Sequence, residues 1–219
     1  VPGAPFSRMA QMNGEKVIVM TRAEYFRQAF PGAPKFRFKQ MEEALFSPLF
    51  ESFLDVSNMP LPMREQLSKE LPWLSVREVQ ILESAKKDTY EGVVEVAGGK
   101  RVETVLMKNA RGAWTVCVSS QVGCAMACTF CATGTMGLTR NLTADEIVDQ
   151  VRFWYAFLKQ QNVSHATKDG DEAPARISNV VFMGMGEPLA NYDNVKEALR
   201  LLLTYTDIGM TRITVSTVG

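Results

Sequence analysis

Three cysteines spaced Cys124-x3-Cys128-x2-Cys131, with a fourth, Cys117, seven residues earlier, confine what this part of the chain can fold into. Thiols packed this closely cannot staple distant segments as the disulfides of a small secreted scaffold do; they point to metal and a reducing compartment. A compact trio with no fourth cysteine after it can hold three irons of a cubane iron–sulfur cluster and leave the fourth iron open to a substrate. Small neighbours, Gly123, Ala125 and Ala127, let the loop fold tightly around inorganic sulfide, and Phe130 would shield the cluster or stack on a ligand. The alternative is a zinc knot with Cys117 or His165 as fourth ligand. Structural zinc sites want four ligands, commonly in paired knuckles, and only one compact trio is present.

The rest of the chain reads as an ordinary globular sequence. Lys+Arg and Asp+Glu are both 24, so net charge gives no argument for nucleic acid, although a local basic patch remains open. No run of eighteen apolar residues is present, which predicts no membrane span, and no signal peptide is read at the start. The chain opens on Val1 rather than Met and stops straight after a strand-like run, so it reads as a piece of a longer polypeptide.

Pattern divides the chain in three. Residues 1–85 predict a small helical module: a short strand at Lys16–Met20, a helix capped by Thr21, and helical spacing over 36–53 with Met41, Leu45, Phe46, Leu49 and Phe50 on one face. A short helix over 63–71 follows the Pro60 and Pro62 break. Residues 86–109 predict a β-hairpin extension turning at Ala97-Gly98-Gly99. Residues 110–219 alternate strands (114–118, 177–183, 212–217) with helices. The first helix opens on the capping box Thr143-x-x-Glu146, and the second carries Val195, Leu199, Leu202 and Leu203 on one face. That alternation predicts an α/β fold with parallel strands. Residues 160–176 read as a solvated loop, with His165 an exposed loop residue, and Trp114 and Trp154 read as core.

Gly184-Met-Gly186-Glu187-Pro188 follows a predicted strand, where ligands bind in parallel α/β sheets; glycines allow close backbone approach, and Glu187 can accept from an ammonium group. The plainer reading is a strand-to-helix turn. Lys35, Arg37 and Lys39, interleaved with Phe36 and Phe38, read equally as an RNA-contacting stretch or a solvated basic face.

The cysteine motif with an aromatic before its last member resembles the radical S-adenosylmethionine (SAM) superfamily. Cys117-Val-Ser-Ser-Gln-Val-Gly-Cys124, Phe130-Cys-Ala-Thr-Gly-Thr-Met-Gly137, Arg140-Asn-Leu-Thr143, Glu146-Ile-Val-Asp-Gln150, Met183-Gly-Met-Gly-Glu-Pro-Leu189 and Val215-Ser-Thr-Val-Gly219 narrow it. In this order they resemble the RlmN/Cfr family of dual-specificity adenosine methyltransferases acting on RNA. The resemblance runs from about Lys35 to the last residue.

It implies the N-terminal portion of a radical SAM partial (βα)6 TIM-like barrel in 110–219, preceded by the hairpin and an RNA-binding-type helical domain. It implies a [4Fe–4S] cluster on Cys124, Cys128 and Cys131, and SAM contacts from Gly186, Glu187 and Ser216. Cys117 would resolve a protein–RNA intermediate and Glu103 would accept a proton. One SAM would methylate a cysteine beyond Gly219, and a radical from a second would activate that methyl, because an adenine C–H is not nucleophilic enough for polar methyl transfer. On this reading 1–219 alone does not complete transfer. The implied activity is C2 methylation of adenosine in 23S rRNA and tRNA by a cytoplasmic monomer with no membrane contact, fed by an electron donor such as flavodoxin or ferredoxin. The alternatives are C8 methylation of the Cfr type, a non-catalytic RNA-binding zinc module, and an inactive gene fragment.

Overall fold

The structure, a computed structural model, describes residues 10–13, 16–110, 112–166 and 172–219, leaving out the side chains of 10–18 and 164–174. The chain forms two compact units, Val1–Ser75 with Ala97–Gly99, and Val76–Val96 with Lys100–Gly219.

The first unit opens with an antiparallel pair, β1 (Ala10–Asn13) and β2 (Lys16–Val19), followed by helices α1 (Arg22–Ala29), α2 (Lys35–Phe46) and α3 (Leu61–Glu70). Thr21 caps α1 as expected: its hydroxyl accepts from the Glu24 amide at 3.2 Å, while the Glu24 carboxylate accepts from the Thr21 amide at 2.7 Å. Phe26, Met41, Leu45, Phe53, Val56 and Leu67 make the core, with Trp73 edge-on to Phe53. The helix expected to run to Phe53 stops at Phe46, because Ser47 precedes Pro48 and is pushed out of the helical region. Leu49, expected on the buried face, is therefore 80% exposed.

The second unit is a six-stranded sheet in the order β12-β11-β6-β5-β4-β3. Its strands are β3 (Arg77–Glu83), β4 (Thr89–Val96), β5 (Lys100–Lys108), β6 (Trp114–Cys117), β11 (Ile177–Phe182) and β12 (Ile213–Val215). The pairs β6–β11 and β11–β12 are parallel, as the strand–helix alternation predicts; β3 to β6 are antiparallel. The β4–β5 hairpin turns through Gly98 and Gly99 at positive φ. β5 also pairs β6, so the hairpin continues the sheet. Residues 77–83, read above with the helical module, form the edge strand β3. Their mostly exposed, charge-rich sequence suits an edge, and pairing to β4 decides their state.

Two short pairs were not anticipated: β7 (Gln121–Cys124) with β8 (Gly137–Asn141), and β9 (Ser164–Ala166) with β10 (Glu172–Pro174). The second lies where a solvated loop was expected, and residues 167–171 of that loop fall outside the described residues. His165 lies in β9, and its side chain is likewise outside the description. Between β7 and β8 sits one turn of helix, α4 (Ala132–Thr135).

Helices α5 (Ala144–Gln160) and α6 (Tyr192–Tyr205) connect the parallel strands and pack on each other. One face of the sheet (Val94, Val102, Thr104, Leu106, Trp114, Val116, Val180, Phe182) is fully buried. Gly92 lets α5 close on this face: a Cβ there would stand 3.0 Å from the Trp154 ring. The Trp154 indole donates to the Thr104 hydroxyl at 3.0 Å, which donates to the Cys117 carbonyl at 2.9 Å. Both tryptophans are core, as expected.

The buried face of α6 is Val195, Ala198, Leu201 and Leu202, rotated from the expected one; Leu203 is 39% exposed. Leu202→Ala is expected to cost about 2–5 kcal/mol in denaturant unfolding. Leu203→Ala should stay within about 0.5 kcal/mol; equal costs would contradict this register.

Candidate functional site

The chemistry-bearing residues gather where β6 and β11 end and their loops begin. After Cys117 the chain runs through Val118, Ser119 and Ser120 into β7, packed against the loop 184–187. Gly184 and Gly186 permit that contact. A Cβ on Gly184 would lie 2.7 Å from the Ser119 hydroxyl, and one on Gly186, at φ +102°, would lie 2.6 Å from the Gln121 Cβ. These glycines were read as making room for a ligand; their missing side chains make room for the protein's own backbone.

Buried polar groups knit the contact together. The Ser119 hydroxyl donates to the Glu103 carbonyl at 2.6 Å and accepts from the Met185 amide at 2.8 Å. The Gln150 side chain, from α5, accepts from the Ser119 amide at 2.8 Å and donates to the Ser119 carbonyl at 3.0 Å. Gln121 accepts from the Glu187 amide at 2.9 Å and donates to Asn141 on β8 at 2.7 Å. Asn191 donates to the carbonyls of Ser120 and Leu142. Ser119, Gln121, Gln150 and Asn191 had no role in the sequence reading. Ser119, Gln121 and Gln150 stand inside the stretches that carry the resemblance, which was their signal.

Glu187 is buried at this junction. Its Oε1 accepts from the Leu189 amide at 2.9 Å and the Thr217 hydroxyl at 2.6 Å, and its Oε2 from the Val218 amide at 3.0 Å. Burial alone would push the carboxyl up, but the bonds from Thr217, Leu189 and Val218 outweigh it and hold the pKa below the ordinary carboxylate value. Ser216 is exposed, one residue past β12, with its amide on the Phe182 carbonyl at 3.4 Å. Gly186, Glu187 and Ser216 therefore lie at neighbouring strand ends.

The cysteine loop leaves from this junction. Cys124 ends β7 and is buried; Cys128 and Cys131 are half-buried, and none of the four cysteines is in a disulfide. Gly123, at φ +75°, lets β7 and β8 close, since a Cβ there would stand 1.9 Å from the Gly137 carbonyl oxygen. Ala127 takes a left-handed φ of 50° between Cys124 and Cys128. The Gly134 backbone lies against Cys128, with a hypothetical Cβ 3.0 Å from its amide nitrogen. Arg140 makes a two-pronged ion pair with the buried Glu146 at 2.7 and 2.8 Å, tying β8 to the first turn of α5, where Glu146 also completes the Thr143 capping box. Among the described residues no three His, Cys, Asp or Glu side chains converge on one ion. A cubane binds each thiolate through a different iron, so a tight loop with three free thiols is a donor set that fits a cluster. Phe130 is 90% exposed beside it.

Cys117 and Glu103 belong to the other face of the sheet. Cys117 pairs with Val105, and Glu103 is two residues further along β5 on the same side. Diagonal neighbours of this kind sit about 7–8 Å apart. Val93, Val105 and Val181 on this face are half-exposed, whereas Cys117 is buried and Glu103 exposed. Burial pushes the Cys117 thiol up, against a smaller opposing pull from the Met183 backbone.

The basic stretch 35–39 forms the first turn of α2. The Arg37 guanidinium donates to the Asn58 carbonyl at 2.8 Å and lies 4.8 Å from the Phe36 ring centroid, Phe38 packs on Phe26, and Lys39 reaches Glu43. Among the described residues no helix is long and apolar enough to cross a membrane.

Two predictions follow from the site's packing. Gly186→Ala should cost about 1–3 kcal/mol in denaturant unfolding, from left-handed strain and overpacking on Gln121. With its raised pKa, the Cys117 thiol adds stability below the ordinary thiol value that is lost as pH climbs through the raised one. Iodoacetamide mapping at neutral pH should label Cys128 and Cys131 well before Cys117, with Cys117 catching up as pH rises; equal rates at neutral pH would contradict its burial.

Residues 118–219 match the radical SAM superfamily. A probable dual-specificity RNA methyltransferase RlmN from Chlorobium chlorochromatii is 40% identical over 195 residues, covering 86% of this chain and 50% of that protein. One so named from Corynebacterium glutamicum is 35% identical over 221 residues, 99% of this chain and 55% of that protein. The crystal structure of a radical SAM methyltransferase from Sphaerobacter thermophilus superposes with a TM-score of 0.74 at 35% identity, over 91% of this chain and 56% of that one. The chain spans about half the length of the curated relatives it matches.

Proposed function

The chain belongs to the RlmN/Cfr family of radical SAM proteins, and on that premise we propose that it carries the cluster-binding and SAM-binding part of an RNA methyltransferase. The observation that carries the reading is the meeting, at one end of the sheet, of the three-thiol loop, the Glu187 clasp, and the face bearing Cys117 and Glu103. Family members use a [4Fe–4S] cluster and SAM, and the cluster, when bound, supplies the electron for reductive cleavage of SAM.

The protein's own residues have distinct tasks. Cys124, Cys128 and Cys131 would hold three irons. Glu187 would receive the amino group of SAM, with Gly186 beside it and Ser216 at the next strand end. Cys117 keeps its proton through burial, so its use as a nucleophile needs a proton acceptor on its own face, and Glu103, two residues along β5 from its partner Val105, would take that role. The substrate reading is C2 of adenosine in 23S rRNA and tRNA, in the cytoplasm, with an electron donor such as flavodoxin or ferredoxin. The basic first turn of α2 supplies an RNA-contacting surface on this reading.

Anaerobic reconstitution tests the proposal. It should load about four irons per chain, as a cubane requires, and give an EPR signal that changes on adding SAM. Serine at any one of Cys124, Cys128 or Cys131 should lower the iron content sharply. Zinc without iron would sink the reading and favour the structural knot.

A further inference from the structure

The loop after β12 reaches back to Glu187 with two adjacent donors, the Thr217 hydroxyl at 2.6 Å and the Val218 amide at 3.0 Å. The Gly219 amide donates to the Thr217 oxygen at 3.0 Å, so the hydroxyl accepts from the chain beyond it and gives its own proton to the carboxylate. On the other side the Glu187 amide is fixed by Gln121, and Oε1 takes a second proton from the Leu189 amide. A carboxylate offers about four acceptor positions. Oε1 has both of its own filled, and Oε2 keeps one.

We propose that Thr217 is the positioning residue of the Glu187 carboxylate: its hydroxyl fixes the rotation of that group and leaves a single acceptor position, on Oε2, for the amino group of a bound amino-acid-type ligand. The backbone donors at Leu189 and Val218 are indifferent to side-chain identity, so Thr217 is the position through which sequence controls the clasp. An isosteric Thr217→Val keeps the shape and removes the donor, whereas Thr217→Ser keeps the donor. The role toward the ligand rests on the SAM-binding reading above; the role toward the carboxylate does not.

The test has two arms, both on the whole chain. In the first, ligand-free protein with 13C-labelled glutamate is titrated by NMR, the Glu187 signal being identified by its loss in Glu187→Gln. Loss of a bond to the charged form makes that form less favourable. Thr217→Val should therefore titrate at higher pH than wild type, and Thr217→Ser should return toward the wild-type curve. Thr217 is exposed, so the valine variant is expected to fold, and Thr217→Ala serves as a second variant should it not. An unmoved Glu187 titration in the hydroxyl-free variant overturns the proposal. In the second arm, SAM affinity of the iron-loaded protein is measured by calorimetry. A lost bond to a charged group predicts about tenfold weaker binding or more for Thr217→Val, with serine close to wild type. Wild-type affinity in the valine variant overturns the role toward the ligand. Failure of the iron-loaded wild type to bind SAM would instead remove the functional reading, while the first arm still decides whether Thr217 positions Glu187.

Discussion

The segment 184–187 can lie against 118–121 only because two of its residues lack a side chain, and the rest of the site is arranged around that contact. Backbones brought this close exclude water from their amides and carbonyls, and every buried polar group then needs a partner from the protein. Ser119, Gln121, Gln150 and Asn191 supply partners to the backbone groups there. The network reaches β5, β8, α5 and the start of α6, so loss of one member leaves a buried donor or acceptor unpaired, at a cost larger than the bond itself contributes.

The pieces legible in the sequence were those with local causes. The N-cap at Thr21, the capping box at Thr143, the Gly98-Gly99 turn, and the apolar runs of β6 and β11 are settled by neighbours in the chain. The pieces that were not legible depend on distant partners. Residues 77–83 carry a pattern compatible with helix or strand until β4 offers its edge. The short β7 and β8 pair only because Gly123 lets two backbones meet, and the buried stripe of α6 is set by what it packs on rather than by its own leucines. Leu49 was a different failure: the residue before a proline was read through as helix.

The same division runs through the site. The cysteine spacing could be read directly, because thiols that would share one cluster from a short loop must be near in sequence. The partners of Glu187 could not, since Thr217 is thirty residues away and meets it across two adjacent strand ends. The reading of Gly184 and Gly186 rested on an incomplete reason. Both are at a strand end where ligands bind, yet the close approach they permit is to Ser119 and Gln121.

The two faces of the sheet differ in how closely they are covered. One is sealed under α5 and α6, and its Thr104 holds the carbonyl of Cys117 while receiving the Trp154 indole. The other leaves Val93, Val105 and Val181 half-exposed around a thiol that is itself buried. A residue required to react must be reachable, whereas a residue required to stay fixed must be packed. Cys117 has its backbone anchored to the sealed face and its side chain directed to the open one, a placement compatible with the resolving role proposed for it. The burial that fixes it also keeps its proton on, on a face that it shares with Glu103 and, one strand further, with Glu91 and Glu95.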